Sequence, residues 1–419
     1  MIVYNSKGEK ILIEDKPIGT AGAEGAVYKI LDPINYIGHC VKVFHDTKRT
    51  IARKNKIEFM THNKPSEIKS KNYIICWPEE IVYDKKNKFL GFIMSLAFND
   101  SISLYELTTP NLNKKLPPKW KKFDRSLKEG IENRYKICVN ISIAIHTVHS
   151  AKNYVIIDYK PQNILINNSG KLSVLDVDSF QISQNSKLLF NAVVATPEYA
   201  PPESHKLNPS LVMIDNTWDL FSIAVSYYEI LFGIHPFAAT SYGQYVNSNT
   251  LSEKIQKGLF VHGSKKNWLS VIPDIHNNFT NQPNSIKKLF LQTFENGHSA
   301  PKSRVLAETW GMSFAEEVLL SNSILPNSFN IKKRTTTVAK NKKIVSSNYN
   351  HPSSTNTKIT IPSSTNTTTS KPKDDMPDWQ AVLILIGVVL FFIFLFNIST
   401  TVFWGALIVV YIIYKIYGD

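Results

Sequence analysis

The first hundred residues alternate between short apolar runs and polar turns, a pattern typical of β-strands. Ile2–Tyr4 and residues 11–13 flank the turn-forming residues 5–8, which predicts a hairpin. Further strands are expected at residues 73–77, 80–83 and 89–96, and one helix at about residues 48–61. From about residue 131 the apolar positions follow the helical period, which predicts helices at residues 131–150, 219–231 and 286–294. A strand-rich part followed by a helix-rich part indicates an α+β fold with two lobes.

The composition changes after residue 320. Residues 321–376 are dominated by Ser, Thr, Asn and Lys, and the sequence PSSTNT occurs at 352–357 and again at 362–367. Such a segment has too few apolar side chains to offset the entropy lost on ordering. We therefore expect a folded domain over residues 1–320 and a disordered linker over residues 321–376.

A long apolar stretch follows the linker, and residues 381–414 contain no charged side chain. As one straight helix they would be about 51 Å long, against a hydrocarbon core of about 30 Å. The sequence favours a transmembrane segment at 379–417 that forms a two-helix hairpin, 381–396 and 402–417. The alternative is one tilted span followed by an interfacial segment. Interfacial Trp379, Trp404 and Tyr417, and the Lys-rich linker, predict a plasma- or inner-membrane protein with its folded domain in the cytoplasm.

Charge and cysteine content exclude other classes of protein. The formal net charge is +14, but half of it lies in the linker, where nine Lys/Arg face two Asp. The remainder is spread thinly, so nucleic-acid binding is not expected. Cys40, Cys76 and Cys138 lie far apart, which argues against a disulfide framework or a zinc site and fits a reducing compartment.

Residues 18–28 are rich in glycine and alanine. Glycine lets backbone amides approach phosphate oxygens, although a simple Gly-rich hairpin turn has the same composition. Lys42 then stands inside the apolar strand 40–44, where a cation needs a charged partner. Glu58, on the predicted helix, is the expected partner. The alternative, Glu67, follows Pro65 and is expected beyond the helix end.

A second polar group lies between two apolar runs, at residues 155–157 and 164–166. Asp158, Lys160 and Asn163 belong to it, and Asp176 ends another apolar run 13 residues after Asn163. Asn163 and Asp176 offer hard oxygen ligands suited to Mg²⁺ bridging phosphates. Asp158 is placed to orient a hydroxyl and accept its proton, and Lys160 to neutralise charge on a transferred phosphoryl group.

In this order, the motifs resemble those of the eukaryotic-type Ser/Thr protein kinases over about residues 10–315. The resemblance implies a strand-rich N-lobe at about 1–97, a helical C-lobe at about 98–320, and ATP with Mg²⁺ or Mn²⁺ as cofactors. The hinge that holds adenine through backbone groups is expected at residues 94–97. The implied catalytic residues are Asp158, Lys160, Lys42 and Glu58; the metal ligands Asn163 and Asp176; and the nucleotide-binding residues Thr20, Gly22, Gly25, Val27, Lys42, Met94 and Leu96.

Residues 195–203 resemble the end of a kinase activation loop. Thr196 is expected against the catalytic aspartate and lysine, Asp219 is expected to be buried, and Arg304 is expected to pair with Glu203. Lys160 and Thr196 favour Ser/Thr over Tyr as the acceptor in protein substrates. The chain also resembles a divergent bacterial membrane-anchored group, whose members are often associated with a protein phosphatase and a von Willebrand-type domain protein; the resemblance implies these two partners.

Two departures concern regulation. Ile156 and Ile157 replace the usual His-Arg of the catalytic loop, so we expect that activity does not depend on phosphorylation of the activation loop. Val177 and Asp178 replace the usual Phe-Gly, which is expected to restrict switching of the loop. The expected catalytic positions all have the required residue type, so we favour an active kinase. The alternatives are a catalytically inactive kinase-fold module at the membrane and, disfavoured by residues 196–203, a small-molecule kinase.

Overall fold

The computed structural model describes residues 1–193 and 195–319. The first lobe consists of seven strands and one helix: β1 (Ile2–Tyr4), β2 (Lys10–Ile13), β3 (Gly25–Asp32), β4 (His39–Phe44), α1 (Ile51–His62), β5 (Tyr73–Ile75), β6 (Glu80–Tyr83) and β7 (Phe89–Ser95). Six of the strands close into a barrel in the order β1-β2-β3-β4-β7-β6. Alternate side chains such as Val3, Ile11, Val41 and Ile93 are buried inside it, as expected for strands with period two.

Sequence pattern explains the elements that carry the site. Helix α1 begins after Thr50, whose hydroxyl accepts a hydrogen bond from the Arg53 amide, and it buries Ile57 and Met60. Strands β4 and β7 approach each other closely at Gly91. Glycine is required there, because a Cβ would lie 1.8 Å from the Lys42 carbonyl oxygen. The strand predicted at 73–77 ends at Ile75.

The second lobe is mainly helical. Its helices are α2 (Lys128–Ser150), α3 (Thr217–Phe232), α4 (Leu251–Lys257), α5 (Asn284–Leu291), α6 (Gly297–Ser299) and α7 (Ala307–Leu319). Its short strands are β8 (Ser101–Ser103), β9 (Tyr154–Val155), β10 (Ile164–Asn167), β11 (Leu172–Val174), β12 (Gln181–Gln184), β13 (Lys187–Phe190), β14 (Thr240–Ser241) and β15 (Leu269–Val271). The helix predicted at 286–294 is divided, because a π-helical stretch, Gln292–Asn296, follows α5.

Strand β5 links the lobes, since it pairs with β11 in the four-stranded sheet β5-β11-β10-β8. A three-stranded sheet, β13-β12-β9, pairs the two strands that follow Asp176 with the strand that precedes Asp158. Helix α3 is buried along almost its whole length, and α2 packs against α7 with the Tyr135 and Phe314 rings 5.6 Å apart. The predicted α+β, two-lobe architecture is confirmed.

The predicted linker at 321–376 and transmembrane segment at 379–417, with its hairpin 381–396 and 402–417, lie outside the described residues. Among residues 1–193 and 195–319, no helix is both long and apolar enough to cross a bilayer.

Candidate active site

The loop after β9 brings Asp158 and Lys160 together with Thr196. The Lys160 Nζ donates to Asp158 Oδ2 at 2.8 Å and to Thr196 Oγ1 at 2.9 Å. Asp158 Oδ1 accepts from the Thr196 hydroxyl at 2.6 Å and from its amide at 2.9 Å. The expected contact of Thr196 with both residues is confirmed. A carboxylate that accepts from a hydroxyl beside an ammonium group is suited to act on an alcohol.

Side chains of helix α3 fix the backbone of this loop through hydrogen bonds. The buried Asp219 carboxylate accepts from the amides of Ile156 at 2.8 Å and Ile157 at 2.9 Å, and His149 Nε2 lies 2.9 Å from it. Trp218 Nε1 donates to the Ile157 carbonyl at 3.0 Å. Ile157 has φ +64°, which is costly for a β-branched residue and persists only where neighbours fix the backbone. These contacts therefore aim Asp158 into the site.

The two predicted metal ligands are neighbours. The Leu175 amide donates to the Asn163 carbonyl at 2.9 Å, which places Asp176 beside Asn163. Asn163 Nδ2 donates to the Asp158 carbonyl at 3.0 Å, so Oδ1 is the amide atom suited to a cation. The Asp176 side chain is 55% exposed. An amide and a carboxylate oxygen at one edge fit a Mg²⁺ ion whose other ligands are phosphate oxygens and water.

The glycine-rich turn precedes β3, next to β4. The Gly22 amide donates to the Gly25 carbonyl at 2.9 Å, and Thr20 and Gly22 are exposed on the turn. Gly25 is required by close strand approach, because a Cβ there would lie 2.3 Å from the Val43 carbonyl oxygen. Val27 pairs with Lys42 across the strands and packs against the main core. The structure thus places Gly25 and Val27 on the strand pair that carries Lys42, and Thr20 and Gly22 on the turn that precedes it.

The predicted adenine hinge lies where β7 leaves for the second lobe. Met94 is buried within β7, and its carbonyl lies 3.7 Å from the Cys40 thiol sulfur. The Leu96 amide donates to the Gly38 carbonyl at 2.8 Å, so that amide already has a partner. Leu96 is partly buried against the core.

Lys42 is buried in β4 and has two carboxylate partners. Its Nζ lies 2.7 Å from Asp178 Oδ1 and 3.2 Å from Asp176 Oδ1. Burial acts to lower the pKa of Lys42, but the two carboxylates outweigh it and hold the pKa above its ordinary value. Lys42 is therefore a fixed positive charge beside the predicted metal site.

The predicted Lys42–Glu58 pair is wrong. Glu58 is exposed on α1, and Lys42 is paired with the two aspartates instead. The reason is the phase of the helix: Ile57 and Met60 take the buried face, and Glu58 points away from it. The alternative partner, Glu67, is exposed as well.

Sequence reasoning missed the role of Asp178 and of Arg53. Arg53 on α1 forms a bidentate salt bridge with Glu24 of the glycine-rich turn: Nη1 donates to Oε2 and Nη2 to Oε1, each at 2.7 Å. Its Nη1 also lies 3.9 Å from Asp178 Oδ2. The sequence held one signal for the role of Asp178. This residue interrupts an apolar stretch, and a carboxylate buried there requires a cationic partner.

The end of the activation segment is anchored as expected. Arg304 donates to both Glu203 oxygens, at 2.7 and 2.6 Å, and confirms the predicted pair. The Tyr199 hydroxyl donates to Glu229 Oε2 at 2.9 Å, and burial raises the pKa of Glu229 to about 8. Both contacts fix the segment after Thr196 to the helical lobe.

Comparisons with known proteins bear on the family to which the chain belongs. The family model described as "Protein kinase domain" matches residues 12–300. The chain is 26% identical over 242 residues to Protein kinase YegI of Escherichia coli (strain K12), covering 56% of this chain and 34% of that protein. It is 29% identical over 157 residues to Serine/threonine-protein kinase Genghis Khan of Drosophila melanogaster, covering 36% of this chain and 9% of that protein. The matches thus span about a third or less of these relatives' lengths. A solved structure, the ROP18 kinase domain in complex with AMP-PNP and sucrose, aligns with a TM-score of 0.49 at 16% identity over 76% of this chain and 84% of that chain.

Proposed function

We propose that this chain, which belongs to the protein kinase family, is an active enzyme that transfers the γ-phosphoryl group of Mg-ATP to Ser or Thr hydroxyls of proteins. The observation that carries the proposal is the Asp158–Lys160–Thr196 cluster. The Asn163 side-chain amide donates to the Asp158 carbonyl, and the amide of Leu175, which precedes Asp176, donates to the Asn163 carbonyl.

Each residue of the site has a separate role in the proposed phosphoryl transfer. Asp158 orients the acceptor hydroxyl and takes its proton; the 2.6 Å hydrogen bond that it accepts from the Thr196 hydroxyl supports this role. Lys160 stabilises negative charge that develops beside Asp158, and Lys42 holds the donor's phosphates. A divalent ion bound by Asn163 and Asp176 would neutralise phosphate charge. Catalysis then comes mainly from positioning and electrostatics.

Two features support Ser/Thr over Tyr as acceptor. Lys160 stands two residues after Asp158, and its ammonium group bridges Asp158 and Thr196. In the experiment, the purified full-length chain is incubated with ATP, Mg²⁺ and a generic protein substrate, and acceptors are mapped by mass spectrometry. We expect phosphoserine and phosphothreonine that are absent from the Asp158→Asn variant. Phosphotyrosine alone would contradict the acceptor assignment, and nucleotide binding without any transfer would favour the inactive kinase-fold alternative.

We also propose that activity does not depend on phosphorylation of the activation segment. Ile157, in the place of the usual arginine, lies in an apolar cluster with Ala192 and Ala200 of that segment and with Ile214 and Trp218. Apolar packing there supports an ordered segment without a phosphate. Phosphatase-treated protein should therefore show the initial rate of untreated protein. A rate that falls on treatment and returns with phosphorylation would refute this part of the proposal.

Attachment to a membrane is a further proposal, supported by the uncharged stretch 381–414. Full-length protein should sediment with membranes and resist extraction by high salt, whereas a chain ending at residue 376 should be released. Release of both by salt would contradict the proposal.

We also propose a protein phosphatase and a von Willebrand-type domain protein as partners. They should co-purify with the chain from the detergent-solubilised membrane fraction. Failure of either protein to co-purify would contradict its assignment as a partner.

A further inference from the structure

Four side chains of alternating charge connect the parts of the nucleotide site. They are Lys42 on β4, Asp178 after the predicted metal ligand, Arg53 on α1, and Glu24 in the glycine-rich turn. Their closest contacts measure 2.7 Å from Lys42 to Asp178, 3.9 Å from Asp178 to Arg53, and 2.7 Å from Arg53 to Glu24. The four side chains come from four separate segments: Lys42, Arg53 and Glu24 belong to the first lobe and Asp178 to the second.

Asp178 is the most enclosed member of this series. Its side chain is 2% exposed, and that of Lys42 is 9% exposed. Within the described part of the chain, Asp178 Oδ2 has no hydrogen-bond partner, and it faces Arg53 at 3.9 Å. Burying a carboxylate costs free energy unless nearby cations compensate its charge. Lys42 and Arg53 supply that compensation for Asp178.

We propose that Asp178 is the positioning residue that holds Lys42 for the phosphates of ATP, in the role that the sequence assigned to Glu58. The inference rests on the proposed function, because it concerns the nucleotide of that reaction. Asp178 follows Asp176 by two residues, in the single turn Val177–Ser179. One short segment therefore places both the metal-binding carboxylate and the partner of Lys42.

Helix α1 then has a different task. It offers the cation Arg53, which ties Glu24 and thereby the glycine-rich turn to the helix. Lys42 keeps its partner without a carboxylate from α1. Neutralising Asp178 should thus weaken nucleotide binding, whereas neutralising Glu58 should not.

The test uses the full-length protein, a fluorescent ATP analogue with Mg²⁺, and steady-state kinetics with ATP. Asp178→Asn should raise Kd and KM for nucleotide about 10- to 100-fold, the loss expected for one hydrogen bond between charged groups. Glu58→Gln should stay within about twofold of wild type, the range of a surface substitution. Asp178→Glu should recover part of the affinity. Equal effects of Asp178→Asn and Glu58→Gln would overturn the inference.

A double-mutant cycle with Lys42→Met separates positioning from a merely structural role. If Asp178 acts through Lys42, Asp178→Asn should weaken binding little further in the Lys42→Met background. Equal losses in both backgrounds would overturn the inference. If Asp178→Asn alone fails to fold, the double variant should fold, because neither charge is then left unpaired. A double variant as unstable as the single one would also overturn it.

Binding and transfer are measured separately, so the two proposals can fail separately. Wild-type protein that binds Mg-ATP but transfers no phosphate would refute the proposed function alone. Wild-type protein that does not bind nucleotide would overturn both.

Discussion

Replacing Ile157 with alanine should loosen residues 192–200 and lower kinase activity while leaving every catalytic charge in place. Ile157 is 2% exposed, and it packs with Ala192, Ala200 and Trp218 beneath the activation segment. In a kinase with an arginine at this position, a phosphate would supply the anchor. Here the apolar contact is the anchor that we expect to lose.

The magnitude follows from two opposing effects. Truncating a buried isoleucine to alanine costs about 2–5 kcal/mol of the free energy of unfolding. Ile157 also has φ +64°, and loss of the β-branch recovers part of the roughly 1–2 kcal/mol of left-handed strain. We expect a net loss of about 2 kcal/mol, which lowers Tm by about 3 °C for a domain of this size.

The assay combines thermal unfolding, limited proteolysis and kcat. Ile157→Ala should increase cleavage between residues 191 and 200 and lower kcat several-fold. The control is Ile286→Ala, because Ile286 is fully buried in α5 and is not part of the apolar cluster that contains Ile157. It should cost at least as much stability with unchanged kcat. If Ile157→Ala loses stability but keeps its kcat and its protease resistance, packing at Ile157 does not order the segment.

Three further predictions concern stability and the glycine-rich turn. Gly25→Ala should destabilise the first lobe and weaken ATP binding, since its Cβ would lie 2.3 Å from a β4 carbonyl; Gly22→Ala, whose Cβ finds its nearest atom at 3.7 Å, should leave Tm within about 1 °C. Arg304→Lys should lose about 2–4 kcal/mol in denaturant unfolding, because it removes a two-pronged contact from Glu203; unchanged unfolding would contradict the anchor. Burial lowers the pKa of His262 to about 4, below its ordinary 6.5, so stability is complete above pH 6.5 and falls as the pH drops towards 4. Burial also lowers the pKa of His235 to about 4, so His262→Phe should reduce this slope without abolishing it; an unchanged slope would refute the assignment.

The catalytic loop could be predicted because its chemistry is local in sequence. Asp158, Lys160 and Asn163 lie within six residues, so their spacing alone fixes their relation to one another. Thr196 was found by its motif, and the structure places it on Asp158. The two-lobe fold followed in the same way from periodicity, which depends on local pattern rather than on distant contacts.

The partner of Lys42 could not be predicted, because it depends on tertiary structure. Each residue along a helix turns the side chain by about 100°, so the phase of α1 decides whether Glu58 or Arg53 faces the site. Sequence pattern located the helix without fixing which face turns inward. Asp178 reaches Lys42 only through the fold of its turn, where Asp176 has φ +52°.

In the proposed reaction, the Asp158 cluster catalyses transfer of phosphate from a bound nucleotide. The most direct test measures nucleotide Kd and phosphate transfer on the same preparations of wild-type and Asp158→Asn protein. We predict equal Kd values and a loss of transfer of about 10²-fold or more, the usual contribution of a general base. Transfer retained by Asp158→Asn would contradict both the catalytic assignment of this carboxylate and the proposed mechanism of transfer.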